Sequence, residues 1–212
     1  MQTGMTKDQL KTIADWLGAG SINLFGLPFA GKDTHGTILA ETFNASLLGG
    51  GDILRNSIIP DEAKAVMHAG GLIPTDDYLR IVLPYLSRQE FADKPLILSS
   101  VGRWSGEEDG VIAATEASRH PIKAVVYLQL NEDTVKQRYQ VSQSKGDRAE
   151  RADDAEHLLD TRIAEFNEKT LPVIEAYRQK GLLIEVNSEA NEDEVTDSIF
   201  ARLLVLATNS KN

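Results

Sequence analysis

The sequence predicts an α/β protein: a parallel sheet with helices on both faces. Three observations carry that expectation. Nearly continuous apolar runs stand at Ser21–Phe25, Pro95–Ser99, Ile122–Leu130 and Gly181–Val186; helical patterns separate them; and a glycine-rich loop, Gly26 to Gly31, links the first run to a helix-forming stretch. A strand buried on both faces needs apolar side chains at consecutive positions, and parallel neighbours need a crossover long enough to hold a helix.

The elements follow in order. Leu10, Ile13, Trp16 and Leu17 recur at helical spacing after Thr6, so residues 6–18 are expected to form an amphipathic helix, capped by Thr6 and ended by Gly18 and Gly20. It belongs to an N-terminal extension, 1–20. The first strand, the glycine loop and the helix from Lys32 to Phe43 open a core assigned to 21–45, 89–139 and 155–212. Residues 46–88 interrupt the alternation with a helix-rich stretch of little strand signal, and 140–154 with a polar, charged one. Both are expected to be mobile lobes inserted in the core.

Composition narrows the function. With 212 residues, 42% of them hydrophobic, the chain suits one domain carrying inserts. It has no cysteine, which excludes disulfides and thiolate metal sites and fits a reducing, cytoplasmic setting. Charges at Lys7, Asp8, Lys11 and Asp15 break any signal-peptide core, and no apolar run approaches the ~18 residues of a membrane span. A soluble protein with no membrane partner is expected. The 22 Lys and Arg against 32 Asp and Glu give a net charge of -10, which disfavours nucleic acid and points to a small anion held by a local cationic cluster. The four histidines have no ligand spacing, and no hydrolytic Ser motif is present.

The segment Gly26-Leu-Pro28-Phe-Ala30-Gly31-Lys32-Asp33-Thr34 fits G-x-x-x-x-G-K between a strand and a helix. Glycines let consecutive backbone N–H groups converge on a phosphate, the helix N-terminus adds its dipole, and Lys32 can bridge terminal phosphates. The hydroxyl that usually follows the lysine is replaced by Asp33, with Thr34 one place later.

That pattern resembles the adenylate kinase family of nucleoside monophosphate (NMP) kinases, whose loop also places Thr second after the lysine. The resemblance extends along the chain. Gly51-Asp52-Ile53-Leu54-Arg55 is similar to the family's acceptor-binding segment, Gly70-Gly71-Leu72-Ile73-Pro74 to the turn that follows, and Arg103 to the arginine after the third strand. Arg151-Ala-Asp153-Asp154 with Arg162 resembles the lid signature, and Arg138 stands where a family arginine lies over the donor base. What this implies is a P-loop NTPase fold with a helical NMP-binding insert at 46–88 and a short lid at 140–154. The implied activity is transfer of the γ-phosphoryl of ATP to AMP, with Mg2+, by a monomer. Lys32, Arg103, Arg138, Arg151 and Arg162 are the implied catalytic cations. ATP would meet Gly26, Pro28, Ala30, Gly31, Lys32, Asp33, Thr34 and Arg138; the NMP would meet Gly50, Arg55, Ile73, Arg103, Glu107, Arg151 and Arg162. Such a transfer is mostly positioning and charge stabilisation, for which forked guanidiniums are suited. Lys145 or Arg148 would supply a further lid cation.

Three segments depart from the family. Ser99 replaces the aspartate that orients water on magnesium, and Asp33 is the candidate relocated carboxylate. Gly49 and Gly50 replace a Ser-Thr pair, and Glu107 replaces a base-reading glutamine. A carboxylate accepts but does not donate, so GMP or CMP stands beside AMP as acceptor, and Glu107 as a solvated loop acid is the other reading. A regulatory relative without chemistry and a kinase for a different small acceptor are the rivals. His35 is expected to pack or to be solvated, and Trp104 stays unassigned.

Overall fold

The computed structural model describes residues 4–55, 57–73, 75–145 and 156–210. Five parallel strands form one sheet in the order β2-β3-β1-β4-β5: β1 Ser21–Gly26, β2 Ser46–Gly49, β3 Leu96–Ser99, β4 Ile122–Gln129 and β5 Leu183–Asn187. β1 lies at the centre and is buried at every position, which is why its sequence is apolar without alternation. Its neighbours β3 and β4 leave in opposite directions along the sheet. The loop after β1 therefore opens into the crevice where strand order reverses, the usual ligand position of such sheets.

Helix α2 (Lys32–Phe43) packs on β1 and β3 and meets α10 (Glu192–Asn209) through Phe43 and Phe200, whose ring centroids are 5.7 Å apart. On the other face lie α6 (Glu107–Ala117) and α9 (Leu171–Gln179), where Phe25 of β1 meets Tyr177. Helices α3 (Gly50–Arg55), α4 (Asp61–His68) and α5 (Thr75–Tyr85) follow β2, and α7 (Glu132–Lys145) and α8 (Glu156–Glu165) flank the rest of the site.

Two differences from the sequence reading have physical causes. Ser46–Gly49, placed in the helix-rich stretch, is the edge strand of the sheet, paired with β3 from Ser46↔Leu96 to Gly49↔Ser99. Four residues ending in glycines are too few to show a period. The last strand starts at Leu183 rather than Gly181, because Gly181 takes φ +71 and the Leu182 N–H bonds the Tyr177 carbonyl, so both close α9. Helix α7 also continues to Lys145, through the first residues assigned to the lid.

The N-terminal helix α1 (Lys7–Leu17) carries a capping box: Thr6 Oγ1 accepts from Gln9 N at 3.3 Å and Gln9 Oε1 from Thr6 N at 2.9 Å. Ile13 and Leu17 are buried, α1 lies against α10, and Gly4 N donates to Asp197 Oδ1 at 2.9 Å. Burying two such side chains contributes roughly 3–6 kcal/mol. Deleting residues 1–18 should lower the urea midpoint by a corresponding amount; an unchanged midpoint would show that α1 contributes no net stability.

Candidate active site

The loop 26–34 turns tightly. A Cβ on Gly26 would lie 2.9 Å from both the Ala30 Cβ and the Leu128 carbonyl oxygen, so only glycine fits there. Phe29 at φ 62 and Gly31 at φ 88 adopt left-handed backbone, a cost of order 1–3 kcal/mol for the non-glycine residue that concentrates at functional turns. Lys32 Nζ donates to the carbonyls of Gly26 and Leu27, each at 2.8 Å, so the ammonium is laid across the mouth of its own loop.

Two depressions flank the loop, sharing Phe29 and Gly31 as the ridge between them. The first holds Gly26, Pro28, Lys32 and Asp33 from the loop side and Arg55, Ile73, Arg103, Glu107 and Arg162 from the other. The second holds Thr34, His35 and Arg138. Ala30 is buried under the loop, where its carbonyl accepts from Ser188 Oγ at 2.8 Å. Gly50 lines neither depression; a Cβ on it would lie 3.0 Å from the Ser100 carbonyl oxygen, so it serves close packing. Arg148 and Arg151 lie outside the described residues, and nothing is described of the Lys145 side chain.

Arg138 donates to Phe29 O at 3.2 Å and to Ser188 O at 2.6 Å, tying the loop to the segment after β5. Arg103 is pulled down to about 10, by burial first and by the neighbouring Arg162 second, so it stays cationic at neutral pH. Glu107 is 3% exposed, which removes the solvated-acid reading. Its Oε2 accepts from Arg103 N at 2.9 Å and Trp104 N at 3.0 Å, and its side chain bonds Thr75. Burial pushes the Glu107 carboxyl up, and these hydrogen bonds oppose that shift.

Ser99, the last residue of β3, lies with its Oγ 3.4 Å from Asp33 Oδ1. The hydroxyl at the end of β3 and the carboxylate at the start of α2 are thus next to each other. Among the described residues no group of three or more His, Asp or Glu is arranged to hold a metal alone. One carboxylate beside a phosphate loop matches magnesium, which keeps several waters and takes its other ligands from substrate phosphates.

His35 is buried, with Nδ1 3.1 Å from Thr196 Oγ1, and is lowered to about 4, by burial first and Arg138 second. Packing, as expected, is its state. The unfolded chain takes up this proton below pH 6.5 while the native one resists until about 4, so stability falls as pH drops through that window. The loss between pH 7.5 and 5 amounts to about 2 kcal/mol. His35→Gln should abolish that part of the pH dependence, read as the difference between parent and variant urea curves; parallel curves would refute it.

Some site-building residues escaped the sequence reading. Asn23, in the middle of β1, clamps Val101 with Nδ2 to its carbonyl at 2.7 Å and accepts from its N–H at 3.3 Å. A lone amide in an apolar strand signals such a partner. Tyr78 Oη accepts from Gly102 N at 2.7 Å, and nothing in the sequence around Tyr78 announces it. Trp104 lines the cleft that holds Arg103, with Lys169 Nζ 4.3 Å above its ring centroid.

The family model described as Adenylate kinase matches residues 24–182. The chain belongs to the adenylate kinase family. It is 31% identical over 179 residues to the "Adenylate kinase" of Oenococcus oeni, covering 81% of this chain and 92% of that one. With the "Adenylate kinase" of Nocardioides sp. it shares 31% over 189 residues, covering 86% and 96%. A solved structure, a gluconokinase from Sinorhizobium meliloti, superposes with TM-score 0.62 at 19% identity over 91% of this chain and 96% of that one, a likeness of fold. As a member of the adenylate kinase family the protein is a nucleotide-binding phosphotransferase, an NMP kinase. No described helix is long and apolar enough to cross a membrane.

Proposed function

We propose that the protein transfers the γ-phosphoryl group of ATP to AMP, giving two ADP, with Mg2+, as a cytosolic monomer. The observation that carries this is the pair of depressions on either side of one phosphate loop, one lined by Lys32, Arg55, Arg103 and Arg162 and the other by Arg138. ATP lies along residues 26–34 with its base toward Arg138; the acceptor phosphate lies toward Arg55, Arg103 and Arg162. Residues 46–88 act as the acceptor insert, and 140–154, with Arg151, as the lid.

An acceptor phosphate oxygen attacks the γ-phosphorus while the bond to the β,γ-bridging oxygen breaks. The acceptor is ionised at pH 7, so no general base is needed. Lys32 and the arginines stabilise the charge spread over the transferred group, and closure over both ligands excludes water that would otherwise take the phosphoryl group. Magnesium, held through Asp33, would neutralise charge on the donor phosphates.

A second reading of the base rests on Glu107. With Oε2 taken by two N–H groups and a further bond to Thr75, the carboxylate still has acceptor capacity for an amino group, which adenine, guanine and cytosine all offer. Uracil instead presents an N–H flanked by two carbonyl oxygens that face a carboxylate unfavourably. A coupled assay of ATP with AMP, GMP, CMP and UMP should rank AMP first and UMP last. A faster rate with GMP or CMP would move the assignment to that base. Nucleotide binding without turnover would leave a regulatory protein.

A further inference from the structure

Helices α8 and α9 are joined by a single π-helical turn, Phe166–Thr170, whose last carbonyl-to-amide link runs from Leu171 N back to Phe166 O. Its sequence cause is Pro172, which has no N–H to offer the carbonyl of residue 168 and whose ring crowds that carbonyl. The inserted residue shifts the register of the side chains that follow it. Thr170, fully buried, donates from Oγ1 to Arg103 O at 3.1 Å. The neighbouring Lys169 lies over Trp104 and pairs with Glu165 at 2.7 Å, while Glu165 Oε2 accepts from Leu72 N at 3.2 Å.

The Arg103 residue is therefore gripped at both ends of its backbone, by Glu107 at N–H and by Thr170 at C=O, from two different helices. The same short segment reaches Trp104, and through Glu165 the 70–73 turn, and it continues the helix that carries Arg162. Breaks of this kind in a helix recur at functional sites.

We propose that the π turn is the joint that sets the acceptor-phosphate arginines, and that Thr170 is the positioning residue that holds Arg103 for the incoming phosphate. A long guanidinium side chain loses less freedom on binding when its backbone is already fixed, so the hydroxyl acts on acceptor affinity and leaves the donor side untouched. The inference rests on the acceptor role proposed for Arg103.

Calorimetric titration with AMP, GMP, CMP and separately with ATP tests it. Thr170→Val, which keeps the shape and removes the donor, should weaken the best-binding NMP by about five- to tenfold and leave ATP within twofold. Thr170→Ser should restore NMP affinity to within twofold of the parent. In an Arg103→Ala background Thr170→Val should have no further effect. Thr170→Ala replaces the valine variant if that one does not fold. NMP affinity unchanged in the hydroxyl-free variant overturns the inference. So do equal losses for NMP and ATP, a serine variant no better than valine, or additive losses with Arg103→Ala. A parent protein that binds no NMP overturns the acceptor reading itself and this inference with it.

Discussion

Asp33→Ala should lower magnesium-dependent turnover by about 10²–10³, the range seen when one charge-stabilising group is removed from a catalytic site. The argument is local. The resemblance implies an aspartate where Ser99 ends the third strand, and the nearest carboxylate is instead Asp33, directly after the loop lysine, with the two side chains 3.4 Å apart. Exchanging them moves a carboxylate by one hydrogen-bond length, across a spot that a hydrated magnesium can reach from either side. The double variant Asp33→Ser with Ser99→Asp should accordingly recover most of the lost rate, while each single variant does not. Binding supplies a second, independent sign. Without metal, the Asp33 carboxylate repels the donor phosphates, so Asp33→Ala should bind metal-free ATP more tightly and MgATP more weakly than the parent. Asp33 also lies in the first turn of α2, where its charge contributes about 0.3–1 kcal/mol to the helix, too little to account for the loss in rate. Turnover of Asp33→Ala within a few-fold of the parent, or both ATP affinities moving the same way, would end the idea.

What could be read from the sequence followed from how local each signal is. The central strand, the loop and α2 declare themselves because burial of β1 on both faces and the glycines of the loop leave direct marks on consecutive residues. Strand β2 left none: Leu48 is buried and Leu47 is partly exposed, and two leucines next to glycine fit a helix start as well as an edge strand. The cationic residues were legible as types at spacings. What fixes them was not. Arg103 is held by Glu107 four positions on and by Thr170 from another helix, and the second partner exists only because a turn before Pro172 swings it inward. Glu107 shows the same limit in reverse. As one of three consecutive acids it looks solvated, but the fold buries it under the loop whose amides it accepts from.

Arg103→Ala should reduce kcat/KM for the acceptor by about 10³ or more, since it removes a cation from a desolvated place and leaves the opposing phosphate charge without its partner. Burial and Arg162 already lower this guanidinium to about 10, and it remains charged through the neutral range because arginine starts so high. Lysine begins about two units lower, so in the same surroundings it approaches neutrality within the working pH range. Arg103→Lys is therefore expected to behave unlike a conservative change. The cation is the active form, so the lysine variant should keep part of its activity near pH 6.5 and lose it as pH rises toward 9, while the parent stays level over that span. The geometry points the same way, because an ammonium cannot reproduce the two-pronged contact of a guanidinium with phosphate oxygens. Arg55, which is exposed on the opposite wall of the cleft, serves as the control: Arg55→Lys keeps a solvated charge and should show no such alkaline loss. Steady-state rates against pH for the three proteins, with the best acceptor of the nucleotide panel, decide it. A lysine variant at position 103 with the flat profile of the parent would mean that Arg103 does not face the acceptor in a dry site.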